Sequence, residues 1–275
     1  MNLTEAIIIA IVEGLTEFLP VSSTGHMVIT SSLFGIQHGE FTKLFEVSIQ
    51  LGAILAVVVL YWKKFLAFAK WQFYLKLLIA VIPALVFGKL LDDFIEATLG
   101  SPAFIAWMFI AGGIILLFID KLFTKPVTDE EHKITYPKAF IIGLFQVLAV
   151  ALPGISRSAA TIIGGMTQKL TRRVAAEFSF FLAVPTMAAA TGYSLFLKNW
   201  NNTGSEQKGY ELILSSAQNT TSFIVGNIVA FVVAMLAIKF FIGFLQKHGF
   251  RLFGWYRIIT GIILLVMIWQ GIIRE

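Results

Sequence analysis

The sequence predicts an all-α, polytopic integral membrane protein with six transmembrane helices and two re-entrant helix-turn-helix hairpins, arranged as an inverted repeat. Three observations point there. The chain is 57% hydrophobic and 13% charged, with a mean hydropathy of +0.83, whereas a soluble domain carries about twice that charge fraction. Apolar runs of spanning length recur along it, and two further apolar regions are each broken by a proline. The residues around those two prolines repeat. No polar block is long enough for a soluble domain, so residues 1–275 read as a single membrane domain.

The runs at 44–62, 103–119, 174–197, 222–245 and 252–273 are each long enough to span, and 77–91 reaches spanning length by adding Trp71–Lys76. Regions 5–34 and 139–166 are interrupted by Pro20 and by Pro153-Gly154. Each half of such a region is too short to cross alone, so each region reads as a hairpin that enters and leaves by one face. Irregular backbone at membrane depth is tolerated only where protein or a water-filled cavity surrounds it, so the two tips are expected to meet inside the protein. Polar stretches 120–138 and 198–221 read as loops. The amino terminus lacks a basic n-region and Glu13 interrupts its apolar run, so it is not read as a cleavable signal. The absence of cysteine excludes disulfides and thiolate metal sites.

Glu13 and Gln146 each precede a proline by seven residues, Pro20 and Pro153, and each proline is followed three residues later by a serine, Ser23 and Ser156. Glu46-Val-Ser48 is echoed by Glu177-Phe-Ser179. The repeats run from about 1 to 120 and from 138 to 275, joined by the cytoplasmic loop 120–138. Each holds one hairpin and three spans, and an odd number of spans inverts the second copy in the membrane. With the loop bearing Lys63, Lys64, Lys70 and Lys76 inside, alternation also places inside Lys121, Lys125, Lys133, Lys138, Lys169, Arg172, Arg173, Lys239, Lys247, Arg251 and Arg257. That is fifteen, against five outside: Lys43, Lys89, Lys198, Lys208 and Arg274. This follows the positive-inside rule and puts both termini, and the face from which the first hairpin dips, outside the cytoplasm. The net charge of +5 is accounted for by these loops and needs no nucleic acid.

The chemistry is concentrated in the stretch Glu13-Gly-Leu-Thr-Glu17-Phe-Leu-Pro20-Val-Ser22-Ser23-Thr24-Gly25-His26. Glu13 and Glu17, four residues apart on one helical face, repel unless a cation, a shared proton or an arginine relieves them. Such a pair suits ion-coupled transport and metal-assisted hydrolysis equally. Ser22, Ser23 and Thr24 can cap a new helix and offer its amides to an anion. His26 is either a satisfied buried histidine or a catalytic base, and its place three residues after Ser23 favours the latter. At the second tip, Gly154, Ser156, Ser158 and Thr161 surround Arg157. That guanidinium suits bidentate phosphate binding, or serves as a counter-ion to Glu13 or Glu17; the hydroxyls around it favour an oxyanion. Glu46, Gln50, Gln146 and Glu177 read as supporting groups, while His38, His132 and His248 fall in polar loops and read as uninvolved. Gly112-Gly113 reads as a site of close helix packing.

These two stretches resemble the two signatures of the bacterial undecaprenyl-diphosphate phosphatase family linked to bacitracin resistance: Glu13 to His26, and Pro153-Gly-x-Ser156-Arg157-Ser158-x-x-Thr161. Phe45-Glu46-Val-Ser-Ile-Gln50-Leu-Gly and Glu177-Phe-Ser-Phe-Phe-Leu-Ala-Val-Pro185 are similar to further family stretches, so the resemblance covers nearly the whole chain. It implies hydrolysis of a polyprenyl diphosphate to the monophosphate and phosphate at the outer side of the bacterial plasma membrane. That reaction recycles a carrier for peptidoglycan and other envelope polymers. On this reading Ser22, Thr24, Gly154, Ser156, Arg157, Ser158 and Thr161 bind phosphate, and Glu13 and Glu17 hold Mg2+ or Ca2+. The attack falls to Ser23 with His26 as base, or to His26 directly or through water. A transporter or flippase of the prenyl monophosphate is the alternative. Monomer and homodimer both remain open.

Overall fold

The computed structural model describes the whole chain except residues 92–93, 96–97, 99–100, 124, 203–204 and 274–275; Arg274, counted above as an outer charge, lies outside the described residues. Helix α1 (Leu3–Thr16) starts at Asn2, whose side chain accepts from the Glu5 amide while the Glu5 carboxylate accepts from the Asn2 amide, a capping box. A turn through Pro20 leads to α2 (Ser23–Leu33). Helices α3 (Glu40–Ser48) and α4 (Gln50–Leu60) run as one segment through Ile49, followed by the short α5 (Trp62–Phe65), then α6 (Trp71–Leu90) and α7 (Pro102–Leu122). The order then recurs: α8 (Tyr136–Ala151), a turn through Pro153, α9 (Arg157–Thr167) and α10 (Arg172–Gly192). After α11 (Gly209–Leu214) come α12 (Ala217–His248) and α13 (Arg251–Trp269).

Among the described residues, six segments are long and apolar enough to cross a bilayer: Glu40–Leu60, Trp71–Leu90, Pro102–Leu122, Arg172–Leu197, Ala217–His248 and Arg251–Trp269. They match the six runs expected from hydropathy, because the cost of placing charge in hydrocarbon shapes composition directly. One local expectation needs correction. The stretch 198–221 is not plain loop but holds an antiparallel pair, β1 (Asn199–Asn202) and β2 (Ser205–Lys208), ahead of α11. Trp200 anchors it, packing on Leu44, Leu212 and Ile213 and donating from Nε1 to the Ser194 carbonyl at 2.9 Å.

Helix α1 packs along α12 and α8 along α6, while α7 and α13 form the most extensive helix pair. Glycine permits the close approaches: a Cβ on Gly14 would stand 2.8 Å from the Ala230 carbonyl oxygen, and one on Gly143 2.3 Å from that of Ala80. The main core joins Phe18 and Val21 of the first turn to Ala159 and Ile162 of α9 and Phe178, Phe180 and Phe181 of α10. Ile82, Ile228, Leu236 and Phe240 point outward on the spanning helices, a surface suited to lipid and not to water.

Candidate active site

The turns before α2 and α9 share one geometry. Ser22 and Ser156 both adopt positive φ, 73° and 76°, a region costly for residues other than glycine. Each is the N-cap of the helix that follows, its hydroxyl accepting from the amide three residues on: Gly25 at 3.4 Å and Ala159 at 3.2 Å. Gly154, at φ 98°, lets the second turn close tightly. A cavity of about 260 Å³ lies between the turns, lined by Glu17, Ser22, Ser23 and Thr24 from the first and by Pro153, Gly154, Ser156 and Arg157 from the second. Two helix N-termini, with their unsatisfied amides, thus border one cavity.

Glu17 joins the two turns. Its Oε1 accepts from Arg157 Nη2 at 2.8 Å, and its Oε2 accepts from the Ser23 hydroxyl at 2.5 Å. Arg157 also donates from Nη1 to the Ser179 carbonyl at 3.0 Å, while its buried Nε has no partner among the described residues. Glu13 is fully buried one helical turn before Glu17, and neither of its carboxylate oxygens has a hydrogen bond among the described residues. Two carboxylates beside a serine hydroxyl are oxygen donors of the kind a hard divalent cation accepts, but only Glu17 and Ser23 line the cavity, with Glu13 buried behind them, and both Glu17 oxygens already accept hydrogen bonds. Among the described residues no cluster of three or more acidic, histidine or cysteine side chains accompanies them, so a cation held there needs phosphate or water oxygens to complete its shell.

Several expected ligands lie elsewhere. Ser158 donates to the Phe18 carbonyl at 2.8 Å, and Thr161 pairs with Ser179 Oγ at 2.6 Å and donates to the Arg157 carbonyl. Neither lines the cavity, because the turn of α9 aims them at the first hairpin and at α10. They tie α9 to the first turn and to α10 and do not face the cavity. His26 is not hydrogen-bonded to Ser23. Its Nδ1–H donates to the Ser22 carbonyl at 2.7 Å, which in the neutral ring leaves Nε2 to accept from the Tyr256 hydroxyl at 2.7 Å. The ring stacks on Tyr256 and does not line the cavity.

Gln50 and the fully buried Gln146 line the cavity, and Gln146 Oε1 accepts from Thr186. Glu46 lies in an adjoining compartment of about 370 Å³ that shares Thr24, Val47, Gln50, Ile95 and Ala190 with the first and also takes in His38, which as sequence reads as an uninvolved loop residue. Glu177 is not a support of this site. It pairs with Arg173 at 3.1 Å and lines a separate cavity with Lys63, Lys64 and Glu131. The first turns of α10 sit beside those segments, and Ser179 is where that helix reaches Arg157. Arg257, counted as a loop charge, is fully buried. It and Tyr256 fall within an apolar run, and an arginine in such a run was the signal that could have found them.

Residues 6–263 match the family described as bacitracin resistance protein BacA. The chain is 55% identical over 268 residues to a Flavobacterium johnsoniae protein named undecaprenyl-diphosphatase, covering 97% of this chain and 96% of the relative. A Porphyromonas gingivalis protein of the same name is 48% identical over 99% of both chains, and one from Aquifex aeolicus is 43% identical over 94% of this chain and 96% of its own.

Proposed function

Because this chain belongs to the bacitracin resistance protein BacA family, we propose that it hydrolyses undecaprenyl diphosphate to undecaprenyl phosphate and inorganic phosphate. The reaction recycles the lipid carrier for peptidoglycan synthesis and confers bacitracin resistance. The protein is a multi-pass membrane protein. One observation carries the reading: Glu17 is hydrogen-bonded to both Ser23 and Arg157 in a cavity bordered by two helix N-termini. A hydroxyl nucleophile, a proton acceptor, a guanidinium and free amides are the parts that phosphoryl transfer requires.

In the proposed reaction, Arg157 and the amides at the starts of α2 and α9 hold the terminal phosphoryl group. Ser23 Oγ attacks its phosphorus and passes its proton to Glu17. The bond from that phosphorus to the bridging oxygen breaks, and the prenyl monophosphate leaves. Water then cleaves the phosphoserine, releasing phosphate, and Glu17 returns its proton. The bonds of His26 to Ser22 and Tyr256 support Ser23 over His26 as nucleophile and suit His26 to holding the turn. Glu13 and Glu17 are the residues to hold Mg2+ or Ca2+, whose chemistry when bound is to neutralise charge on the diphosphate oxygens.

The two hairpins are proposed to be re-entrant and the halves to be inverted repeats. The matched Ser22 and Ser156 turns support this, as does the exchange by which α1 packs on α12 while α8 packs on α6. Inversion also gives a reason for Glu177 lying away from the cavity while its counterpart Glu46 lies beside it. Moving Arg257 out of the cytoplasmic count leaves fifteen less one against five. The charge bias therefore still favours an extracytoplasmic mouth and termini.

The test is phosphate release from a long-chain polyprenyl diphosphate by detergent-purified protein, with Glu17→Ala, Ser23→Ala and Arg157→Lys alongside, with and without EDTA. Turnover by wild type, its near-complete loss in all three variants, and a phosphoenzyme trapped on Ser23 are expected. No release from folded wild type overturns the reading. A fully active Ser23→Ala removes the covalent step, and turnover that survives EDTA removes the cation.

A further inference from the structure

Arg257 of α13 takes no part in the steps above, yet it is the largest side chain that is fully buried. A guanidinium at membrane depth is costly, and among the described residues no carboxylate pairs with it. Five backbone carbonyls receive it instead. Nη1 donates to Ile155 at 2.8 Å and to Pro20 at 3.3 Å; Nη2 donates to Gly154 at 2.7 Å and to Met108 at 2.9 Å; Nε donates to Phe109 at 3.4 Å. The acceptors belong to the first turn, the second turn and α7. The side chain fits only because residue 112 is glycine: a Cβ there would stand 2.3 Å from Nη2 and 2.7 Å from Cζ.

The held carbonyls immediately precede the two strained serines. Pro20 lies two residues before Ser22, and Gly154 and Ile155 lead directly into Ser156. A trans peptide is planar with its C=O and N–H antiparallel. Holding the Ile155 carbonyl on the guanidinium therefore turns the Ser156 N–H the opposite way, and Ser156 lines the cavity. Only a forked, always-charged donor spans acceptors on three segments at once; an ammonium offers its protons from a single point.

We propose that Arg257 is a positioning residue: from outside the cavity it locks both hairpin turns against α7, so that the helix N-termini of α2 and α9 hold one oxyanion in line with Ser23. This rests on the phosphatase reading above. It assigns a role in transition-state geometry to a residue that touches no substrate.

Three variants test it: Arg257→Lys, Gly112→Ala and Gly261→Ala. Gly112→Ala pushes on the guanidinium without deleting it. Gly261→Ala crowds the same α7–α13 contact, its Cβ 2.8 Å from the Ala106 carbonyl, with no guanidinium atom among its nearest neighbours. Misplacement of reacting groups by about 1 Å can cost about a hundredfold. We therefore expect kcat to fall about a hundredfold in Arg257→Lys and Gly112→Ala with KM within about threefold, the pattern of an interaction realised in the transition state. Gly261→Ala should keep kcat within about threefold despite a comparable loss of melting temperature. Binding of orthovanadate, read by calorimetry, should weaken about tenfold in the first two variants only. If kcat and orthovanadate affinity instead fall in proportion to melting temperature across Gly112→Ala and Gly261→Ala, Arg257 is merely structural and the proposal fails. Wild-type kcat in Arg257→Lys overturns it equally. Should Arg257→Lys not fold, the two glycine variants decide. Absence of lipid turnover in wild type would refute the phosphatase reading, and the orthovanadate comparison would still decide this one.

Discussion

Replacing Arg157 with lysine separates phosphate recognition from charge balance. The arginine and Glu17 side chains are 9% and 4% exposed, so solvent screens the pair little. Removing the cation entirely would leave a buried carboxylate uncompensated, a loss of about 3–5 kcal/mol that could unfold the site and obscure its chemistry. Lysine keeps the charge. What it loses is reach: the guanidinium spans Glu17 Oε1 at 2.8 Å and the Ser179 carbonyl at 3.0 Å, with Nε to spare. One ammonium on a single stem cannot hold Glu17 and Ser179 and still donate into the cavity. Loss of one hydrogen bond to a charged group costs about 1.5–3 kcal/mol, and loss of one oxyanion donor lowers kcat by about 10²–10³. We expect Arg157→Lys to fold and to turn over lipid diphosphate about a hundredfold more slowly, measured as phosphate release under saturating substrate. Turnover within about threefold of wild type, in protein with an unchanged melting temperature, would refute the argument and leave Arg157 as a counter-ion to Glu17.

Ser158→Ala leaves the buried Phe18 carbonyl without its donor and should cost about 1–3 kcal/mol, read by thermal unfolding in detergent; an unshifted transition would deny the tie. Glu177→Gln breaks only a partly exposed pair with Arg173, worth about 0–1 kcal/mol, and phosphate release should stay near wild type. A tenfold loss or more would return Glu177 to the site. A cysteine at Lys70 should label from the cytoplasmic side and one at Ser205 from the outside in intact cells; labelling of both from one side would overturn the orientation. Glu13→Gln should weaken activation by Mg2+ or Ca2+ more than it lowers the melting temperature, and metal titration of phosphate release would show no change if Glu13 is only structural.

Much of this protein is legible in one dimension. The expense of a charge in hydrocarbon writes the six spans into composition, and the two prolines mark where apolar regions break. The same expense singles out Glu13, Glu17 and Arg157, since an ionised group in such a region has to have a partner. The structure supplied Arg157 as the partner of Glu17 but left Glu13 without a hydrogen bond. The hydroxyls show the limit of that reasoning. Ser22, Ser23, Ser156, Ser158 and Thr161 look alike as a sequence pattern, yet Ser23 meets Glu17 while Ser158 and Thr161 turn to Phe18 and Ser179. His26 was paired with its near neighbour Ser23, and its second nitrogen instead meets Tyr256, 230 residues away. Charge counting puts Arg257 among the cytoplasmic loop residues, but it sits where five carbonyls from three segments converge. Sequence by itself marked Glu13, Glu17 and Arg157 as charged groups in apolar surroundings, because that follows from local composition and the solvent. Only the tertiary structure decided which partner each one finds, because around the two turns the direction of a side chain is set by helices distant in the chain.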